Sequence, residues 1–245
     1  MRHNCLVKSC TAANSNIYCI ELEPENPSQV SFAAGQYLQI LLPEGEASAF
    51  SIASSPRETD RLELNILQVP EQKSSQQLFA LLRRGQFISV ELPLGDCYLP
   101  DDLKLHPTVP IILVAAGTGF AQMKSMLHEI FSRQLPNPVH LYWGNRQASG
   151  FYHLDQLKEW HSAHPNFFYH LVVSDAQESC QWLGREGLLY QTIHQDFESL
   201  EECRLCISGS PTMVYATLDE LAKHGLREEH TYSDVFSYAP RNTGD

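Results

Sequence analysis

The segment Pro110 to Phe120, PIILVAAGTGF, constrains the fold more than any other part of the chain. A continuous apolar run ends in a glycine-rich turn, and AQMKSMLHEIF follows with Met123, Met126, Leu127 and Ile130 on one helical stripe. This is a buried strand, a tight turn and a helix. The same alternation recurs downstream: VHLYWGN then HLDQLKEWHSAH, FFYHLVVSD then EGLLYQTIHQDF, and CRLCISGS then PTMVYATLDELAKHG, with Pro211 early in the last helix and Gly225 at its end. Strands that alternate with helices in this way predict a parallel sheet covered on both faces.

Upstream the pattern differs. YCIELEP, QYLQILLP, AFSIAS, LELNILQV and FISVELP are short segments rich in Val, Ile, Leu, Tyr and Phe, separated by PENPS, PEGEAS, SPRETD and PLGD. Their spacing predicts a small antiparallel barrel. SSQQLFALLRRG interrupts it with a short helix, for which Ser74 or Ser75 is the expected cap and Gly85 the expected stop. The chain of 245 residues therefore divides into a barrel over 1–103 and an α/β unit over 104–245.

With 17 basic against 29 acidic side chains, the formal charge of -12 repels a phosphate backbone and an anionic membrane surface, so neither nucleic acid nor membrane is an expected partner. The start MRHNCLVKSCTAANSNIYCI has no apolar targeting core, and a cytoplasmic protein is expected. Cys5, Cys10, Cys19, Cys97, Cys180, Cys203 and Cys206 are read as free thiols, since their number is odd. Cys203 and Cys206, on a predicted strand, point to opposite faces. No metal site is expected, because no Cys or His spacing supplies a zinc set. The histidines, among them His128 and His153, read as scattered surface residues, and Glu198 to Glu202 as a solvated loop.

Gly117-Thr118-Gly119 lies where a parallel strand hands over to a helix, so its backbone N–H groups and the helix dipole offer an anion site suited to nucleotide phosphate. Ser208-Gly209-Ser210-Pro211 makes a second turn of the same kind after a later strand, and the two can converge on one crevice.

A barrel followed by such a unit, with AFSIAS in the first and AAGTGF in the second, resembles the ferredoxin-NADP reductase superfamily. Within it the chain is similar to the short NAD(P)H:flavin oxidoreductases. The resemblance runs from GQYLQI through PLGDCYL, PIILVAAGTGF, HLYWGNR and SGSPTMV to YSDVFSY. It implies hydride transfer from NADH or NADPH to FAD or FMN. It also implies that Ser48-Ala49-Phe50-Ser51-Ile52-Ala53 is the flavin motif, with Phe50 flanking the flavin, Ser51 as the catalytic hydroxyl near N5, and Ile52 beside it.

Two departures bear on flavin retention. Ser48 stands where the family has arginine, and replaces a bidentate charged contact by one neutral hydrogen bond, a loss of roughly 1.5–3 kcal/mol. Glu71 and Gln72 replace glycines ahead of Ser75 in VPEQKSS, a cofactor-binding segment in FAD-retaining relatives, although Lys73 offers a substitute cation. Flavin is accordingly read as a substrate that binds and leaves. For the nicotinamide nucleotide, Asp175 after Ser174 favours NADH, while Arg146 is the rival cation that would accept NADPH. Two alternatives stand beside this reading. One is an FAD-bound reductase serving a ferredoxin or a flavin-dependent oxygenase; the other is a noncatalytic nucleotide-binding module.

Overall fold

The computed structural model describes residues 1–42, 45–175 and 182–241. Its first half contains β1 (Arg2–Ala12), β2 (Ile17–Pro24), β3 (Tyr37–Leu41), β4 (Ala47–Ser51), β5 (Leu62–Leu67) and β6 (Phe87–Leu94) in one antiparallel sheet, ordered β4-β3-β6-β1-β2-β5. The outer strands meet through a bridge from Ile52 to Leu64, reinforced by the Ala53 N–H donating to Glu63 O at 2.7 Å. The sheet thus closes as a barrel around Val7, Ile20, Leu38, Ile40, Ile52, Leu64 and Val90. Sequence reasoning left β1 unassigned, yet it lies between β6 and β2 and sends Cys5 and Val7 into the core.

The expected cap of α1 (Lys73–Leu81) is not made. Gln72 takes the N-cap position without a side-chain bond, and Ser75 Oγ instead accepts from Val69 N–H at 3.0 Å, closing the turn before the helix. Gly85, at φ +86°, lies beyond the helix and donates its N–H to Val7 O at 2.8 Å, so it ties the turn to β1 rather than ending α1.

The second half is a parallel sheet of β7 (Ile111–Ala116), β8 (Val139–Asn145), β9 (Phe167–Val173), β10 (Arg185–Glu186), β11 (Arg204–Ser208) and β12 (Thr231–Tyr232), ordered β10-β9-β8-β7-β11-β12. Helices α2 (Phe120–Ser132), α3 (Leu154–Ala163), α4 (Leu189–Asp196) and α5 (Pro211–Ala222) connect the strands, and α6 (Val235–Tyr238) follows β12. The chain adds β8 and β9 on one side of β7, then returns to place β11 on the other. The glycine turns after β7 and β11 therefore sit side by side at the carboxyl edge, where such a reversal opens a crevice.

The apolar stripe of α2 is buried as its periodicity predicts, and so are Gln122, Lys124 and Ser125 on another face. These polar residues face the barrel: Gln122 Nε2 donates to Gly35 O at 2.7 Å and Ser125 Oγ to Ser54 O at 2.8 Å. The helix consequently forms a wedge between the two halves. Cys203 and Cys206 belong to different core clusters, one on each face of the sheet. The described cysteines are free; Cys180, with the other residues of 176–181, lies outside the described residues. Among the described residues, no helix is long and apolar enough to cross a membrane.

Candidate active site at the crevice between barrel and sheet

Two cavities meet at the crevice. The first, of about 320 Å³, is lined by Tyr37 and Gln39 of β3, Ala49, Phe50 and Ser51 of β4, Ser208 and Gly209 after β11, and Asp234 and Tyr238 near the end of the chain. Tyr37 pairs with Ser51 in the β3–β4 ladder, which brings a ring and a hydroxyl to one wall. Phe50 also packs against the barrel core. Ile52 is fully buried at the barrel-closing bridge and donates its N–H to Gln36 O at 3.1 Å, so its side chain is part of the barrel packing. Ser48 pairs with Ile40 further along β4 and, like Ser75, is not on the wall of this cavity.

The second cavity, of about 490 Å³, is lined by Gly117, Arg146, Ser174, Tyr190, Ser210 and Met213, among others. Gly117 has φ +55° and open space where a Cβ would stand, while its carbonyl accepts from Trp143 Nε1 at 2.9 Å. Thr118 and Gly119 complete the single turn that enters α2. Gly119 is required sterically, because a Cβ there would lie 2.5 Å from Ser208 O. In the neighbouring turn, Ser210 caps α5 by accepting from Met213 N–H at 3.4 Å, and Pro211 occupies the first helical turn, where no N–H partner is lost. The turn after β11 therefore serves both spaces: Ser208 and Gly209 line the first cavity, and Ser210 lines the second. Asp175 lies just outside the second wall and forms an ion pair with Arg146 at 3.4 Å.

Asp234 and Gln122 were missed as site residues, although YSDVFSY was part of the resemblance. Asp234 Oδ2 accepts from Gln122 Nε2 at 2.8 Å, and Oδ1 accepts from Cys97 N–H at 3.4 Å. Burial pushes the Asp234 carboxyl up to about 6, against the lowering effect of those two hydrogen bonds. A proton is thus held or released near neutral pH on the cavity wall. Only the burial of an acid beside that wall reveals this, and sequence spacing carries no such signal.

The seam beneath α2 holds a further polar cluster. Lys124 Nζ contacts both Glu63 oxygens, at 2.6 and 2.8 Å, in a buried ion pair linking β5 to α2. His153 Nε2 stands 3.6 Å from Glu63 Oε1 and 3.3 Å from Cys19 Sγ. Burial pushes the Glu63 carboxyl up, but contact with His153 and Lys124 more than offsets this and holds it well below the usual carboxylate range. The expectation of surface histidines fails here. His153 is half-buried at the seam, and burial together with the nearby Lys124 charge brings His128 down to about 4.

The first cavity suits a flat heteroaromatic ring, with Tyr37, Phe50 and Tyr238 beside hydroxyls and one carboxyl. The second joins an open glycine turn at a helix start to a cation, and so suits a phosphate-bearing nucleotide. Comparisons with known proteins agree with these two characters. Residues 4–98 match the oxidoreductase FAD-binding domain, and residues 113–219 the oxidoreductase NAD-binding domain. The NAD(P)H-flavin reductase of Vibrio harveyi is 32% identical over 244 residues, covering 97% of this chain and 100% of that protein. Reductase component 1 of the Comamonas terephthalate 1,2-dioxygenase is 31% identical over 240 residues, covering 98% of this chain and 69% of the relative. The crystal structure of the Amycolatopsis cytochrome P450 reductase GcoB superposes with a TM-score of 0.86 at 25% identity, over 96% of this chain and 69% of that one.

Proposed function

The chain belongs to the ferredoxin reductase family of FAD- and NAD-binding oxidoreductases, and from that premise we propose how its residues reduce flavin at the expense of NAD(P)H. It is an oxidoreductase whose small-molecule substrates are a nicotinamide nucleotide and a flavin. The flavin supplies the hydride-accepting chemistry when bound, and the chain supplies position and a dry environment. Ser51 presents its hydroxyl on the cavity wall, and Phe50 and Tyr37 give the ring apolar surface. Gly117 to Gly119 and Ser210 hold the nucleotide's phosphates by backbone N–H groups, with Gly209 left bare between the two spaces. Asp234 holds a proton at the same wall.

The observation that supports this arrangement is the Ser208–Ser210 turn, which borders both cavities, so that rings bound in each approach one another there. The working division is a flavin-binding barrel over 1–103 and a nucleotide-binding unit over 104–245. With Ser48, Glu71 and Gln72 in place of groups that hold a flavin phosphate, reduced flavin leaves after each turnover; Asp175 makes NADH the preferred donor, and the protein works in the cytoplasm. A flavin-dependent oxygenase is the class of protein that would consume the product. Absorbance of the purified protein tests the release step. Little retained flavin, with NADH oxidation that saturates in added flavin, supports it; stoichiometric retained FAD favours the reading in which electrons pass to a protein partner.

A further inference from the structure

We propose that Cys19, Glu63 and His153 form a three-ligand site for a zinc-class divalent ion at the seam between barrel and parallel sheet. The three come from different places: Cys19 from β2, Glu63 from β5 and His153 from the residue before α3. Their ligand atoms, a thiol sulfur, a carboxylate oxygen and an imidazole nitrogen, all lie within 4.8 Å of one another. Sulfur and nitrogen at usual zinc distances, in tetrahedral arrangement, are about 3.6 Å apart, and nitrogen and oxygen about 3.3 Å. The structure has 3.3 Å from Cys19 Sγ to His153 Nε2 and 3.6 Å from His153 Nε2 to Glu63 Oε1, so two edges already match within a few tenths of an ångström.

The surroundings complete the set. Asn65 Nδ2 donates to Glu63 Oε1 at 3.1 Å and to Cys19 Sγ at 3.5 Å, orienting two of the three ligands, as supporting hydrogen bonds do around metal centres. His153 has left-handed backbone, φ 53° and ψ 28°, which aims its ring back toward the barrel from the end of a loop. Glu63 and His153 also open onto a cavity of about 470 Å³, which gives an ion its path in and a water for the fourth position. Lys124 and Arg61 are the cations in contact with Glu63, and Lys124 touches both of its oxygens. An incoming ion takes Oε1 and leaves Lys124 on Oε2. Binding replaces the Cys19 thiol proton, which passes to solvent, while His153 binds through a neutral nitrogen. Competition with Lys124 weakens the hold of Glu63 on the ion. Because the ligands straddle both halves, a bound ion also clamps the barrel to the sheet.

Titration of the full chain with Co²⁺ and with Zn²⁺, followed by absorbance and calorimetry, tests this. The expected result is one equivalent bound, a thiolate-to-cobalt charge-transfer band that Zn²⁺ abolishes, and a higher melting temperature with Zn²⁺. Cys19→Ser should remove the band, and His153→Gln should weaken binding by about 100-fold or more, at or beyond the upper end of what loss of an outer-shell partner costs. Melting curves without metal establish that each variant is folded, and the two substitutions sit on separate elements, so either one alone remains informative. A band that survives Cys19→Ser would assign the metal to another cysteine and overturn the proposal. Absence of stoichiometric binding to the wild type would also overturn it.

Discussion

Arg146 and Asp175 pair at 3.4 Å at the ends of the neighbouring strands β8 and β9, and the Asp175 N–H also donates to Arg146 O at 3.0 Å. The carboxylate that would repel a 2'-phosphate and the cation that would attract one are thus a single unit beside the nucleotide cavity. Arg146 is 80% exposed, so the pair itself contributes at most about 1 kcal/mol to stability and its charges remain open to a ligand. Asp175→Arg should raise kcat/KM for NADPH and lower it for NADH, changing the ratio by about tenfold for each 1.4 kcal/mol of altered contact. Arg146→Ala should depress NADPH use more than NADH use. Parallel changes for both nucleotides would place the ribose site elsewhere.

Ser51 stands at the wall of the first cavity, paired across the ladder with Tyr37. In the proposed arrangement Ser51→Ala removes one hydrogen bond to the bound ring, and it should slow flavin reduction by about tenfold while leaving the KM for NADH nearly unchanged. Unaltered turnover in a folded variant would remove Ser51 from the mechanism.

Ser48 lies on the same strand but off the cavity wall, on the face it shares with Phe50. An arginine there has the reach to meet a phosphate extending from the ring, whereas riboflavin offers none. Ser48→Arg should lower Kd for FMN and FAD by about tenfold and leave riboflavin unchanged. Equal tightening of all three would show that position 48 does not face the phosphate.

How much of this was legible beforehand follows from where the information resides. The turns at Gly117 and Ser208 were readable because a buried strand, a glycine turn and a helix leave a local pattern. β1 was missed because RHNCLVKSCTA mixes charged and apolar residues at the start of the chain, and only its two neighbouring strands make it central. The polar face of α2 could not be read, since helical periodicity shows one apolar stripe, whereas Gln122, Lys124 and Ser125 are buried by a distant barrel. The same holds for Cys19, Glu63 and His153: no spacing along the chain encodes their meeting. Asp234 lies in YSDVFSY, but its raised carboxyl pKa comes from burial, which outweighs its hydrogen bonds from Cys97 and Gln122.

That carboxyl gives a prediction with a definite sign. Its value in the folded protein, about 6, exceeds the ordinary 3.8, so folding favours the protonated form. The stabilisation is complete below about pH 4 and is lost as pH rises toward and through 6. Compared with Asp234→Asn, the wild type should therefore lose on the order of 1–3 kcal/mol of stability over that interval, measured by denaturant unfolding at a series of pH values. The pH profile of flavin reduction should lose its break near 6 in the same variant. Equal pH dependence in the two proteins would assign the titration to another group.

In the proposed function the turn after β11 brings a nicotinamide ring and a flavin ring together. Anaerobic rapid mixing of the protein with NADH and oxidised flavin, following the loss of flavin absorbance, measures this directly. Bleaching is expected at a rate that saturates in both substrates and falls when NADH carries deuterium at the transferred position, because that bond breaks in the measured step. Binding of both substrates without bleaching, or bleaching that occurs equally fast without the protein, would contradict it.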